Sequence, residues 1–96
     1  MASFTTRVVL HSANYEDYQK LHKEMELKKF SRKITGSNGK TYMLPDAEYR
    51  SISSTLDASG VRQLAEAAAN TTGKRYAVFV TMSATDDCAW SGLEEA

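Results

Sequence analysis

The sequence predicts an α+β domain with the element order β-α-β-β-α-β, and three observations carry that reading. Two segments repeat their apolar residues at helical spacing. The segments between and around them are short and rich in β-branched and aromatic residues. Turn and cap residues, led by the pair Asn38-Gly39, punctuate the boundaries.

Thr5-Thr6-Arg7-Val8-Val9-Leu10 reads as the first strand, with Thr6, Val8 and Leu10 on one face and Arg7, Val9 and His11 on the other. Asn14 or Ser12 then offers an N-cap. Tyr15, Tyr18, Leu21, His22 and Met25 form a helical stripe, giving a first helix over about Tyr15 to Lys28. Glu16–Lys20 and Glu24–Lys28 are i,i+4 pairs with the acid N-terminal, each adding a few tenths of a kcal/mol. Lys28 and Lys29 suit the negative end of that helix. Phe30 to Thr35 reads as the second strand, and Gly36-Ser37-Asn38-Gly39 as a turn. Thr41 to Leu44 is a short extended piece halted by Pro45, and Glu48 to Ser54 is the third strand. Asp57 caps a second helix over about Ala58 to Asn70, whose stripe is Val61, Leu64, Ala65 and Ala68. Thr71-Thr72-Gly73 ends it, and Lys74 to Met82 is the fourth strand.

Right-handed crossovers turn this order into the split βαβ, ferredoxin-like plait: a four-stranded antiparallel sheet with two helices on one face. The other face is open, so a homodimer over that face or an edge strand would enlarge a modest core. Tyr76, Val78, Val80 and Met82 suit the core, while Ala77 and Phe79 make the opposite face of the fourth strand apolar too. Phe79 therefore reads as a contact surface.

The chain has 96 residues, 42% of them hydrophobic and 25% charged, which fits one small globular domain over residues 1–83 and an acidic, flexible tail over 84–96. No apolar run approaches the roughly 18 residues a membrane helix needs, so no membrane insertion is expected. A secretory leader is not expected either. The single cysteine, Cys88, excludes an internal disulfide and points to a reducing, cytoplasmic setting.

Lys+Arg and Asp+Glu each number 12, yet the charge is uneven. Lys28, Lys29, Arg32, Lys33 and Lys40 fall in a stretch with no acid, while Asp86, Asp87, Glu94 and Glu95 end the chain with no base. A local basic segment of this kind can hold a polyanion although the molecule is neutral overall; a solvated surface strip gives the same pattern. Arg32 lies between Phe30 and Ile34 on one face, where a phosphate-facing arginine fits, and so does a snorkelling one.

Several motifs are excluded. Gly39-Lys40-Thr41 lacks P-loop spacing and sits in a hairpin turn. The third strand, Glu48-Tyr49-Arg50-Ser51-Ile52-Ser53, has one aromatic and so lacks the RNA-recognition-motif signature, although Tyr42 and Tyr49 could stack on bases. His11, His22 and Cys88 have no metal-ligand spacing, so neither a metal nor another cofactor is expected.

The segments Tyr15 through Phe30, Gly39-Lys40-Thr41-Tyr42-Met43-Leu44-Pro45 leading into Tyr49-Arg50-Ser51-Ile52, and Ser54-Thr55-Leu56-Asp57-Ala58-Ser59-Gly60-Val61 carry a resemblance. In pattern and length the chain resembles the GhoS-type endoribonuclease antitoxins of type V toxin–antitoxin systems over roughly residues 5–85. The resemblance implies a ferredoxin-like fold akin to the CRISPR-associated small nucleases. It implies cleavage of single-stranded mRNA, that of a small membrane toxin. The family carries a basic residue on the corresponding side of its first helix, and His22 stands nearest that position. The related metal-using nucleases place a carboxylate at the end of the first strand; here Leu10-His11-Ser12 stands there, which favours a metal-independent mechanism.

Metal-free RNA cleavage needs a base for the 2′-hydroxyl proton, an acid for the leaving oxygen and cations at the phosphate. His22, His11 and Arg32 are the candidate catalytic residues, with Lys28, Lys29, Arg32, Lys33 and Lys40 the candidate phosphate contacts. His22 on its apolar stripe also fits a packed histidine, and His11 an ordinary loop residue. The alternative function is a non-enzymatic interaction protein, of the phage or mobile-element inhibitor type. It would bind a protein partner through the sheet or edge strands, with Phe79 and Trp90 as the contact surface, although Trp90 also fits a ring docked back on the sheet.

Overall fold

Alternation in the first strand builds the sheet. β1 (Ala2–Leu10) buries Phe4, Thr6, Val8 and Leu10 and exposes Thr5 and Arg7. The computed structural model describes residues 2–36, 38–45, 47–83 and 89–96. After β1 come α1 (Tyr15–Leu27), β2 (Lys33–Thr35), β3 (Thr41–Met43), β4 (Glu48–Ser53), α2 (Ala58–Asn70) and β5 (Tyr76–Ser83). β1 is central and antiparallel to both neighbours, from Ala2↔Ser53 to Arg7↔Glu48 with β4, and from Ser3↔Ser83 to Leu10↔Tyr76 with β5. The molecule is thus an α+β domain with two helices and antiparallel sheets.

The helices start where their caps dictate. Asn14 Oδ1 accepts the Asp17 N–H and Asp17 Oδ2 accepts the Asn14 N–H, a reciprocal capping box. Asp57 Oδ1 accepts the Gly60 N–H at the head of α2. Leu21 and Met25 from α1, and Val61, Ala65, Ala68 and Ala69 from α2, join Phe4, Val8, Leu10, Phe30 and Tyr49 in one buried cluster. The alanines let α2 lie close to the sheet. Leu64, expected on the buried stripe, is instead 37% exposed and lines a crevice with Ile52 and Leu56. On β5, Tyr76, Val78 and Val80 are half-buried and pack against the core, while Met82, expected there too, is exposed.

The expected four-stranded sheet does not form. The main sheet has three strands in the order β4-β1-β5, and β2 and β3 make a separate two-stranded hairpin. Between β4 and the segment leading into β2, Ser31 and Arg50 form a bridge, each N–H donating to the other's carbonyl at 2.7 Å. The chain then turns away: Ser31 Oγ accepts the Lys33 N–H at 3.1 Å, and Leu44 N–H donates to the Arg32 carbonyl at 2.7 Å. The local serine bond competes with a continuing ladder. β2 takes β3 as its partner instead, from Lys33↔Met43 to Thr35↔Thr41. Gly39, at φ +81°, makes the turn between them. The order remains compatible with a plait.

The last residues lie on the hairpin. Met43 N–H donates to the Glu94 carbonyl (2.8 Å) and Ala96 N–H to the Thr41 carbonyl (2.9 Å). Of the expected tail, Asp86, Asp87 and Cys88 lie outside the described residues.

α1 ends in a Schellman motif: Lys29 N–H donates to Glu26 O and Phe30 N–H to Met25 O, both at 3.0 Å. The motif requires a left-handed residue, usually glycine, and Lys29 fills it at φ +69°. Lys29→Gly is expected to stabilise the fold by about 0.5–1 kcal/mol, net of glycine's greater chain entropy. The readout is a higher urea midpoint at unchanged m-value.

Candidate nucleic-acid interface

The departure of β2 from β4 opens a wedge. Lys29, Ser31, Lys33, Arg50, Ile52 and Trp90 line this cleft of about 760 Å³. Ser31 and Arg50 are held by their bridge, Lys33 projects from β2, and Lys29 is placed by the helix terminus. Two lysines from the basic segment therefore meet an arginine from a strand distant in sequence.

A second cleft, of about 520 Å³, holds His22 and Arg32 together with Arg7, Tyr15, Tyr18 and Gln19. It exists because β4 begins at Glu48 and leaves the last residues of β1 without a strand on that side. Their backbone groups find other partners. Val8 N–H donates to Ala47 O at 2.9 Å. Tyr18 Oη accepts the Leu10 N–H at 3.1 Å and donates to the Leu10 carbonyl at 3.3 Å. The tyrosine of α1 thereby stands in for a missing strand and fixes one wall of the cleft.

His22 is half-buried, with Nδ1 2.5 Å from the Tyr49 hydroxyl and its ring between those of Tyr18 and Tyr49. Tyr49 is fully buried, and that burial pushes its phenol well above the usual tyrosine range, against an opposing pull from the Arg32 guanidinium. A neutral hydroxyl therefore faces the imidazole throughout the pH range where histidine titrates. A third crevice shares Lys29 and Lys33 with the wedge and Arg32 with the His22 cleft. Lys29, Arg32 and Lys33 thus line a crevice that adjoins both clefts, with Glu26 beside them.

The other expected residues fall elsewhere. His11 is exposed beyond β1, its N–H donating to the Arg75 carbonyl, and does not line the His22 cleft. Lys28 lines an apolar crevice with Ile52, Leu56 and Leu64. Lys40 is exposed at the hairpin turn. Phe79 is 70% exposed on the open sheet face, opposite Arg7 in register. Trp90 packs on Tyr42 of β3, ring centroids 5.8 Å apart, so one expected contact residue lies on β5 of the main sheet and the other on the separate hairpin. Tyr49 is buried and is not a surface on which a base could stack. Arg7 and Arg50 join the clefts beyond the residues expected there, and Tyr49 and Tyr18 hold His22 and the end of β1 where the sequence suggested base stacking and a core stripe.

Among the described residues, no three His, Cys, Asp or Glu side chains gather as metal ligands would, and no helix is long and apolar enough to cross a membrane. Comparison with known proteins finds no matching family model, curated protein or solved structure.

Proposed function

We propose that this protein binds single-stranded RNA along the basic surface of residues 29–33 and cuts it in the His22 cleft. The carrying observation is that the two clefts adjoin one crevice: Lys29, Lys33 and Arg50 on one side, Arg32, Arg7 and His22 on the other, linked through shared residues. The arrangement suits a chain of phosphates with one acid–base group placed among them. The resemblance to GhoS-type antitoxins supports the same reading, and the element order and antiparallel pairing are compatible with the plait it implies, the second strand meeting β4 at the Ser31 bridge.

In this reading His22 takes the 2′-hydroxyl proton. The freed oxygen attacks the adjacent phosphorus, the bond to the 5′-oxygen breaks, and that oxygen takes a proton from solvent water as it leaves. Arg32 and Arg7 hold the charge gathering on the phosphate oxygens. The products are a 2′,3′-cyclic phosphate and a 5′-hydroxyl end.

The test is incubation of purified protein with a mixed mRNA pool, with and without EDTA, followed by mapping of new 5′ ends. Discrete cuts bearing 5′-hydroxyls and surviving EDTA are expected. Intact RNA after incubation with folded protein would reject cleavage. The second reading, a protein-binding module, draws on the exposed Phe79. Failure to bind any RNA, together with capture of a defined partner lost on Phe79→Ser, would favour it.

A further inference from the structure

The geometry points to Trp90 as a nucleobase-stacking residue of the wedge, carried there by the C-terminal residues that bridge to β3. This inference rests on the RNA reading and names the form of RNA the wedge takes: a single strand with an unstacked base.

The local sequence explains the position. Residues 94–96 pair with β3 through the Glu94 carbonyl and the Ala96 N–H, which brings the preceding chain back to the hairpin. There the indole packs on Tyr42 and against bare Gly36, where a Cβ would lie only 3.1 Å from Trp90 Cζ2. Glycine at 36 therefore makes room for the ring. One part of the indole is supported, and the half-buried remainder lines the wedge that Lys29, Lys33 and Arg50 also line.

A wedge with cations and a supported aromatic ring matches the two halves of a nucleotide. Phosphates are held by charge, and a base offers a flat face to an indole. Ile34 and Ile52 complete an apolar lining suited to a base and unsuited to a bare polyanion. Duplex RNA keeps its bases stacked on one another and offers no free face. Charge alone does not distinguish RNA from any other polyanion; Trp90 does.

The chain has a single tryptophan, so its intrinsic fluorescence reports this residue alone. Protein is mixed in a stopped-flow cell with a mixed-sequence single-stranded oligoribonucleotide, the same sequence as a duplex, or inorganic polyphosphate. Emission is recorded before cleavage, and end-label anisotropy or competition reports binding independently. The expected result is strong quenching by the single strand and none by bound duplex or polyphosphate. Trp90→Ala should weaken single-strand binding roughly 5- to 150-fold, the range for losing one stacked base. Trp90→Phe should restore most of it, and both variants should hold polyphosphate within about twofold of the parent. That last reading shows that the wedge remains folded. Single-strand binding with unchanged emission and unaltered affinity in Trp90→Ala would overturn the stacking role and leave the RNA reading standing. Equal loss of RNA and polyphosphate in both variants would reduce Trp90 to a structural prop. No binding of any polyanion by the parent protein would overturn the RNA reading and this inference with it.

Discussion

Combined replacement of Lys29, Lys33 and Arg50 by glutamine is expected to weaken single-stranded RNA binding about 100-fold at about 0.1 M salt. The size follows from counterion release. Each cation that neutralises a phosphate on a single strand adds about 0.7 to the slope of log affinity against log salt, so three remove about two units. The three residues line one wedge although Arg50 is remote from the lysines in sequence. Glutamine keeps much of each stem, so packing against Ile34 and Ile52 changes little. The control is Lys28→Gln with Lys40→Gln. Those residues sit at the apolar crevice and the hairpin turn, and the pair should change affinity less than about threefold. Titration by anisotropy across a salt series reads both quantities. Equal losses in the two variants would mean that net charge, and not the wedge, holds the RNA. An unchanged slope in the triple variant would remove the wedge from the interface.

The contrast between these variants shows what could be read from the chain. The basic segment was visible as a run without acids, but a run fixes no geometry. A helix terminus, a serine turn and a hairpin divide its five cations among the wedge, the His22 cleft, the apolar crevice and the hairpin turn. Local features were legible. Asn14 and Asp57 cap the helices as their types suggest, and Asn38-Gly39 marks the hairpin. The second strand extends less far than its composition suggests: Phe30 to Thr35 has strand composition throughout, but pairing with β4 is limited to the Ser31–Arg50 bridge, beside which Ser31 Oγ accepts the Lys33 N–H. Trp90 against Gly36 depends on residues more than fifty positions apart, and periodicity carries no signal for such a contact. Tyr18 reads as core by its spacing, yet its hydroxyl also serves the end of β1 on the side that β4 leaves uncovered.

His22→Gln should lower the cleavage rate by 100-fold or more while leaving RNA affinity within about twofold, because general acid–base groups contribute roughly 10²–10⁴ to rate. His11→Gln should leave both unchanged, since that side chain lies outside the cleft. The more searching variant is Tyr49→Phe. The Tyr49 hydroxyl is buried, stays neutral and bonds Nδ1 of His22, so it holds the imidazole in one orientation without touching substrate. It is a positioning residue in this account. Its loss should cost about 1 kcal/mol of stability and about tenfold in rate, by leaving the ring to reorient. A structural role alone would lower stability and leave the pH profile of cleavage in place. Positioning predicts that the profile also moves, because the hydrogen bond that biases the imidazole between its protonation states is gone. Wild-type cleavage by His22→Gln would place the chemistry elsewhere. A slowed Tyr49→Phe with an unmoved profile would keep His22 in the reaction and confine Tyr49 to the core.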